Sequence, residues 1–301
     1  MNKINSNYIL FDSTAQRLQD YKVLTKLGLT TTIVISALFG YIMYGGWSNW
    51  PGLILLIIAG YLVTASANTF NQILEKDTDK LMQRTAKRPL VLGRISITEA
   101  LLFAGFSGLI GVLILWYCFN IQAAFIGALS LFSYSFIYTP FKKISPIAVL
   151  IGAFPGAFPI VIGWLAASGG QFSIDMMYLF SIQFLWQFPH FWSIAWMSDD
   201  DYRKAGFYLL PTREGKNKQT AILCLLYIIV LISLVAYYCF YNDMNVFCQL
   251  GALILGTMFL LYGYKLYKEL ENTAARKLMF ASIIYLPLLQ LLFIIDKLFL
   301  H

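Results

Sequence analysis

The chain has 301 residues, 59% of them hydrophobic and only 12% charged, with 22 Lys and Arg against 15 Asp and Glu for a net charge of +7. Soluble domains carry roughly 25% charged residues, so this chain lacks the polar surface to coat a globule in water. That excludes a soluble enzyme, a disordered protein and a nucleic-acid binder, and leaves a polytopic membrane protein if the apolar residues fall in runs of about 20.

The first 26 residues hold Asp12 and Asp20 and show no short apolar core or small-residue cleavage site. They do not read as a secretory signal, nor as an Arg-rich, acid-poor transit peptide. A bacterial plasma membrane is the simplest home. Within them, Ser13–Lys26 sets Leu18, Tyr21, Val23 and Leu24 among polar residues and predicts a short amphipathic helix on the cytoplasmic face.

Nine spans follow, at about 27–46, 51–73, 98–118, 121–140, 145–167, 174–197, 219–241, 247–267 and 277–298. Helices are required because lipid offers backbone groups no partners. The fold class is an all-α polytopic membrane protein, with 27–298 a single nine-helix domain around a cavity open to the cytoplasmic side. Lys and Arg are absent from the connections 46–50, 119–120, 168–173 and 242–246, and 21 of the 22 basic residues fall on the other side, Lys297 being the exception. The positive-inside rule then places the N-terminus in the cytoplasm and the C-terminus outside. The four cysteines, Cys118, Cys224, Cys239 and Cys248, form no Cys-x-x-Cys pair and read as small core residues. Two long charged cytoplasmic loops stand out, 74–97 and 198–218. Their four-span offset hints at a weak internal duplication.

At the end of the second span, Asn71, Glu75 and Asp79 are spaced i, i+4, i+8. At about 100° per residue they share one helix face, with Asp77 off it. Ionisable groups at the membrane boundary are functional candidates. Two carboxylates and an amide carbonyl are hard oxygen ligands suited to Mg2+, which takes one or two carboxylates and completes its shell with substrate phosphates. Arg84, Lys87 and Arg88 follow, and such bases hold phosphate oxygens. Acids beside bases fit a metal–diphosphate; a solvated loop of mutually paired charges is the plainer alternative.

At the end of the sixth span, Asp199, Asp200 and Asp201 form a second acid cluster, followed by Arg203, Lys204 and Arg213. Two acid clusters on one face could flank one diphosphate. His190, about two turns earlier in an apolar span, could be a packing residue, a proton acceptor or a tetrapyrrole contact. The sequence does not choose.

The two stretches resemble the intramembrane aromatic prenyltransferases of the UbiA type, and within them the branch that farnesylates protoheme. The first hallmark reads Asn71, Glu75, Asp77, Asp79, Met82, Arg84, Thr85, Arg88, Pro89 and Leu90. The second reads Trp186, Gln187, Pro189, His190 and Phe191, then Asp201, Tyr202, Ala205, Gly206, Leu210 and Pro211. Tyr138-Thr139-Pro140 and the Gly/Pro-rich 152–163 are also similar to the family, and the likeness spans essentially the whole chain. Two features depart from the pattern. Glu75 stands where Asp is commoner. The second cluster is three consecutive Asp rather than Asp-x-x-x-Asp.

The resemblance implies farnesyl diphosphate and protoheme IX as substrates, within the lipid bilayer, and heme O and diphosphate as products. Heme A synthase or a terminal oxidase assembly would be partners. Mg2+ would be held by Asn71, Glu75 and Asp79 with Asp201, and the other acids of 199–201 would assist. Arg84, Lys87, Arg88, Arg203 and Lys204 would hold phosphate. Trp164, Tyr134, Tyr138 and Trp186 are candidate walls for an allylic cation. His190 would handle a proton or hold the porphyrin, and Lys142 or Lys143 would meet its propionates. The rivals are the same transfer to another acceptor, such as a quinone precursor, and a transporter or heme carrier without catalysis.

Overall fold

The computed structural model describes residues 3–212 and 214–300, with side chains from residue 14 onward. No strand occurs among the described residues. Helix α1 (Lys3–Leu24) leads into α2 (Leu27–Tyr44), α3 (Trp50–Leu74) and the single turn α4 (Lys76–Asp79). After an irregular stretch come α5 (Ile97–Cys118) and α6 (Ile121–Phe132), which runs through a π-helical segment (Ser133–Tyr138) into α7 (Thr139–Phe141). The rest is α8 (Ala148–Ser168), α9 (Ile174–Lys204), α10 (Lys218–Tyr241), α11 (Val246–Glu269) and α12 (Asn272–Ile295). The predicted amphipathic helix is thus the C-terminal half of a longer one.

Short polar caps fix where several helices begin. The side chains of Asn49, Ser96, Asn120, Ser173, Asn217 and Asn245 each accept a bond from a backbone N–H two or three residues on. Such caps satisfy donors that the first turn leaves orphaned.

Eight helical stretches are long and apolar enough to cross a membrane, and each coincides with a predicted span. The expected span 174–197 lies within α9. At 31 residues α9 is about 46 Å long, ample for a hydrocarbon core of ~30 Å. Its hydropathy is lower than that of the eight because it carries Gln183, Gln187 and His190.

The helices pack as two closed sets. In the first, α2 lies on α3, α3 on α5, α5 on α6, α6 on α8, and α8 back on α2. In the second, α9, α10, α11 and α12 pack in succession and α12 returns to α9. The α8–α9 and α2–α12 contacts join them. Between α2 and α8 the backbones touch: a Cβ on Gly163 would collide with the Ala37 carbonyl, and one on Gly40 with that of Ile160. Small residues permit this in helices whose surroundings offer no hydrophobic drive to associate. Three cysteines are buried as expected, but Cys118, at the end of α5, is exposed.

Candidate active site

Helix α3 ends at Leu74, and the chain continues through Glu75 into α4. The Glu75 N–H donates to the Asn71 carbonyl (3.0 Å) and the Asp79 N–H to that of Glu75 (2.7 Å), so the i, i+4, i+8 register survives the break. All three side chains are buried, Asn71 at 0%, Glu75 at 5% and Asp79 at 1% exposure. Asp77 points away and pairs with Lys80 at 2.7 Å, at an exposed position.

Each member of the face meets one cation from a different part of the chain. Asn71 Oδ1 accepts from Lys26 Nζ (2.8 Å), Glu75 Oε1 from Lys142 Nζ (2.8 Å) and Asp79 Oδ2 from Arg88 (2.5 Å). Lys142 also stands over the Tyr138 ring, 4.5 Å from its centroid, and Lys26 Nζ is 3.5 Å from the Tyr134 hydroxyl. Asn71 Nδ2 donates to Thr139 Oγ1 (3.1 Å).

The π-helical segment arranges this side of the site. Pro140 has no N–H to continue an α ladder. The Thr139 N–H and Oγ1 instead both reach back five residues to the Tyr134 carbonyl, the hydroxyl at 2.9 Å. Single wide turns of this kind recur at functional sites.

Burial pushes the Glu75 carboxyl up, but the Lys142 ammonium, with Lys26 and Arg88 behind it, outweighs burial and holds it below its ordinary range. Asp79 goes the other way. Burial lifts it, and Arg88 recovers only part of the rise. Burial, with Arg88 and Lys142 nearby, depresses Lys26 to about 7, against the pull of Glu75 and Asp79. Lys142 is also buried, but Glu75 raises it above its ordinary value.

The donor set fits a divalent cation. Asp79 Oδ1 is buried without a hydrogen-bond partner, an acceptor left open on the face that also carries Asn71 and Glu75. Among the described residues no three His, Cys, Asp or Glu side chains lie close enough to enclose an ion by themselves.

The second cluster meets the loop that follows the first, at Gln83 and Arg84. The Gln83 N–H donates to Asp201 Oδ1 (3.1 Å), and Arg84 donates to the Tyr202 hydroxyl (3.3 Å). Asp199 pairs with Arg203 (2.9 Å), Asp200 with Lys216 (3.2 Å), and Lys204 stands 3.9 Å from Asp201. A cavity of about 470 Å3 opens here, lined by Gln83, Arg84, Met197, Ser198, Asp200, Asp201 and Lys204. Lys87 and Lys143 are exposed, and Arg213 lies outside the described residues.

On α9, His190 stacks on Trp186, centroids 4.7 Å apart, and its Nδ1 lies 2.8 Å from Ser282 Oγ of α12. Ser282 spends its one proton on the Met279 carbonyl (2.6 Å), so it accepts from His190. That puts the proton on Nδ1 and the lone pair on Nε2. Trp186 Nε1 donates to the Ser282 carbonyl (2.8 Å). Trp164 packs on Tyr44, near the opposite ends of α8 and α2, and is not brought to the acid face.

Lys142 was expected at the porphyrin and is found on Glu75; Lys26 was read only as an orienting charge. Nothing in the spacing links residues 26, 71, 75 and 142. The signal available was physical: buried acids need counter-charges.

Two buried acids and one amide thus share a helix face at one end of the helical bundle, each matched by a cation. The comparisons make this specific. The family model described as UbiA prenyltransferase family matches residues 33–284, and the chain belongs to that family. It is 44% identical to the protein from Cytophaga hutchinsonii named protoheme IX farnesyltransferase, over 95% of this chain and all of that one. It is 42% identical to the one of the same name from Christiangramia forsetii, over 97% and 98%. Among solved structures, a digeranylgeranylglyceryl phosphate synthase superposes with a TM-score of 0.77 at 20% identity, covering 93% of this chain and 98% of that one. A UbiA homolog from Archaeoglobus fulgidus bound to DMAPP and Mg2+ gives 0.68 at 15%, covering 91% and 99%. These two neighbours share the fold.

Proposed function

We propose that the chain transfers the farnesyl group of farnesyl diphosphate to a vinyl group of protoheme IX, giving heme O and diphosphate. The acceptor reading rests on the relatives named protoheme IX farnesyltransferase. The chemical reading rests on one observation: three buried oxygen ligands on one helix face, one of them with a buried, unpartnered oxygen. The A. fulgidus neighbour, whose ligands are a prenyl diphosphate and Mg2+, favours that metal.

Asn71, Glu75 and Asp79 would hold Mg2+, with Asp201 as a further oxygen donor. When bound, the metal supplies neutralisation of the leaving diphosphate. Lys26, Lys142 and Arg88 are already at these oxygens and would turn to the phosphates, where Arg84, Lys87, Arg203 and Lys204 add charge. Donors aimed at developing charge are worth about 3 kcal/mol each. The C–O bond of the diphosphate breaks, and Tyr134 and Tyr138 face the allylic cation. The terminal vinyl carbon attacks it, water adds to the neighbouring carbon and releases one proton, and a hydroxyethylfarnesyl side chain results. With its lone pair on Nε2, His190 can accept that proton or meet the porphyrin iron. We place Lys142 with the diphosphate rather than the heme propionates, because it is committed to Glu75; Lys143 remains free for a propionate.

We read α9 as a ninth span, with the acid ends of α3 and α9 on the cytoplasmic side of a bacterial plasma membrane. The Lys and Arg distribution supports this. The test is heme extraction. The chain is expressed in a bacterium lacking its own heme O synthase, and membrane hemes are separated by reversed-phase chromatography with mass detection. A late-eluting heme heavier by one hydroxyethylfarnesyl modification is expected. Protoheme alone, from membranes that contain the folded protein, overturns the acceptor assignment.

A further inference from the structure

The chain between α1 and α2 is held in an unusual way. Lys26 has φ 49° and ψ 54°, a left-handed conformation that residues with side chains seldom adopt. Such a conformation persists only where the surroundings over-determine it. Here they do. The end of α1 leaves carbonyls short of helical partners; Val23 O receives the Lys26 N–H at 3.2 Å. Gln72 Nε2 donates to two of them, Val23 O at 2.9 Å and Leu24 O at 2.8 Å. Asn68 Nδ2 donates to a third, Thr25 O at 3.1 Å, which also receives the Thr30 hydroxyl at 2.7 Å. Both carboxamides are buried, and turning the Gln72 amide over would set oxygen against two oxygens. Asn68, Asn71 and Gln72 are spaced i, i+3, i+4 on α3 and so are neighbours on its surface. Two of them grip the hinge, and the third receives the lysine that the hinge presents, at 2.8 Å.

We propose that Asn68 and Gln72 are positioning residues of the active site. By capping three successive carbonyls they hold Lys26 in the left-handed conformation and deliver its ammonium to the Asn71 end of the metal–diphosphate face. They touch no substrate and act through Lys26. This rests on the reading of Asn71, Glu75 and Asp79 as the metal–diphosphate site. A hinge that slackened would let Lys26 leave Asn71 while the acids kept their own partners, Lys142 and Arg88.

The test is a double-mutant cycle on the full chain in lipid nanodiscs, reading equilibrium binding of farnesyl diphosphate in Mg2+ buffer. Lys26→Met and Gln72→Met are each expected to weaken binding by about tenfold, the loss of one charge-assisted contact. The double variant is expected to bind no more weakly than Lys26→Met alone, because Gln72 has nothing left to position. Losses that multiply, or a Gln72→Met that binds like the wild type, overturn the proposal. Asn68→Leu removes a single cap and is read the same way should Gln72→Met not fold. Wild-type protein that does not bind farnesyl diphosphate with Mg2+ overturns the diphosphate reading itself and this proposal with it.

Discussion

Glu75 and Lys142 form an ion pair between the end of α3 and the turn after α7, Oε1 to Nζ 2.8 Å, with only 6% and 11% of their side chains exposed. The pair joins residues 67 positions apart. A buried pair is a modest source of stability, but removing one partner strands a charge, at a cost of about 3–5 kcal/mol. Lys142→Met should therefore lower the thermal unfolding temperature sharply, and adding Glu75→Gln should restore much of it. Turnover should stay lost in both, as followed by heme analysis. If the double variant is no more stable than the single one, the two groups are not each other's partners.

Asp79 contributes one oxygen to Arg88 and holds another without a partner. Asp79→Asn keeps the shape and removes the charge. Turnover should fall by roughly 100- to 1,000-fold, as expected when a group stabilising the leaving charge is lost, while the protein still folds. Wild-type turnover in this variant would sink the metal assignment.

The N-terminal helix is tied to the loop that carries Arg84, Lys87 and Arg88 and to the start of α5. Asp20 receives Arg94 Nε at 2.9 Å and Nη2 at 2.7 Å, and Glu99 receives Arg17 (2.7 Å) and the Tyr21 hydroxyl (2.9 Å). Bonds from Arg94 hold the Asp20 carboxyl below its ordinary 3.8. A depressed carboxyl stabilises the fold above its unfolded value and loses that contribution as pH falls through its folded one. Asp20→Asn should thus destabilise by on the order of 1 kcal/mol near neutral pH. The gap between variant and wild-type melting curves should close below about pH 4. A gap independent of pH would show that charge is not the source.

Helices α2 and α8 meet backbone to backbone at Gly40 and Gly163. Gly163→Ala adds one methyl where a carbonyl already stands. Overpacking of this kind costs typically 1–3 kcal/mol, and a site that cannot yield should show the upper end in a detergent melt. Gly28, around which there is open space, is the control; its alanine variant should melt like the wild type.

Much of this was legible in the sequence, for identifiable reasons. A run of about 20 apolar residues has one outcome in lipid, so eight spans read directly. α9 was also placed as a helix, although Gln183 and Gln187 dilute its hydropathy; these two bond the Gly156 and Ala153 carbonyls of α8. The Asn71–Glu75–Asp79 face was legible because helical spacing is local. Its counter-cations were not, since Lys26 and Lys142 reach it through the left-handed hinge and the π-helical segment, and neither feature leaves a spacing to read. Three consecutive aspartates looked like one cluster. The helix sends each to a different partner: Arg203, Lys216 and the Gln83 amide.

The π-helical segment Ser133–Tyr138 also sets a phase. A wide turn admits one residue more than an α turn, and one residue is about 100° of rotation for everything downstream. The direction in which Lys142 leaves its helix is therefore fixed by how many residues precede it as much as by its being a lysine. Deleting Ile137 alone would leave every functional group of the site in the chain. It would nonetheless swing Lys142 away from Glu75, disarming the site by a change of count alone.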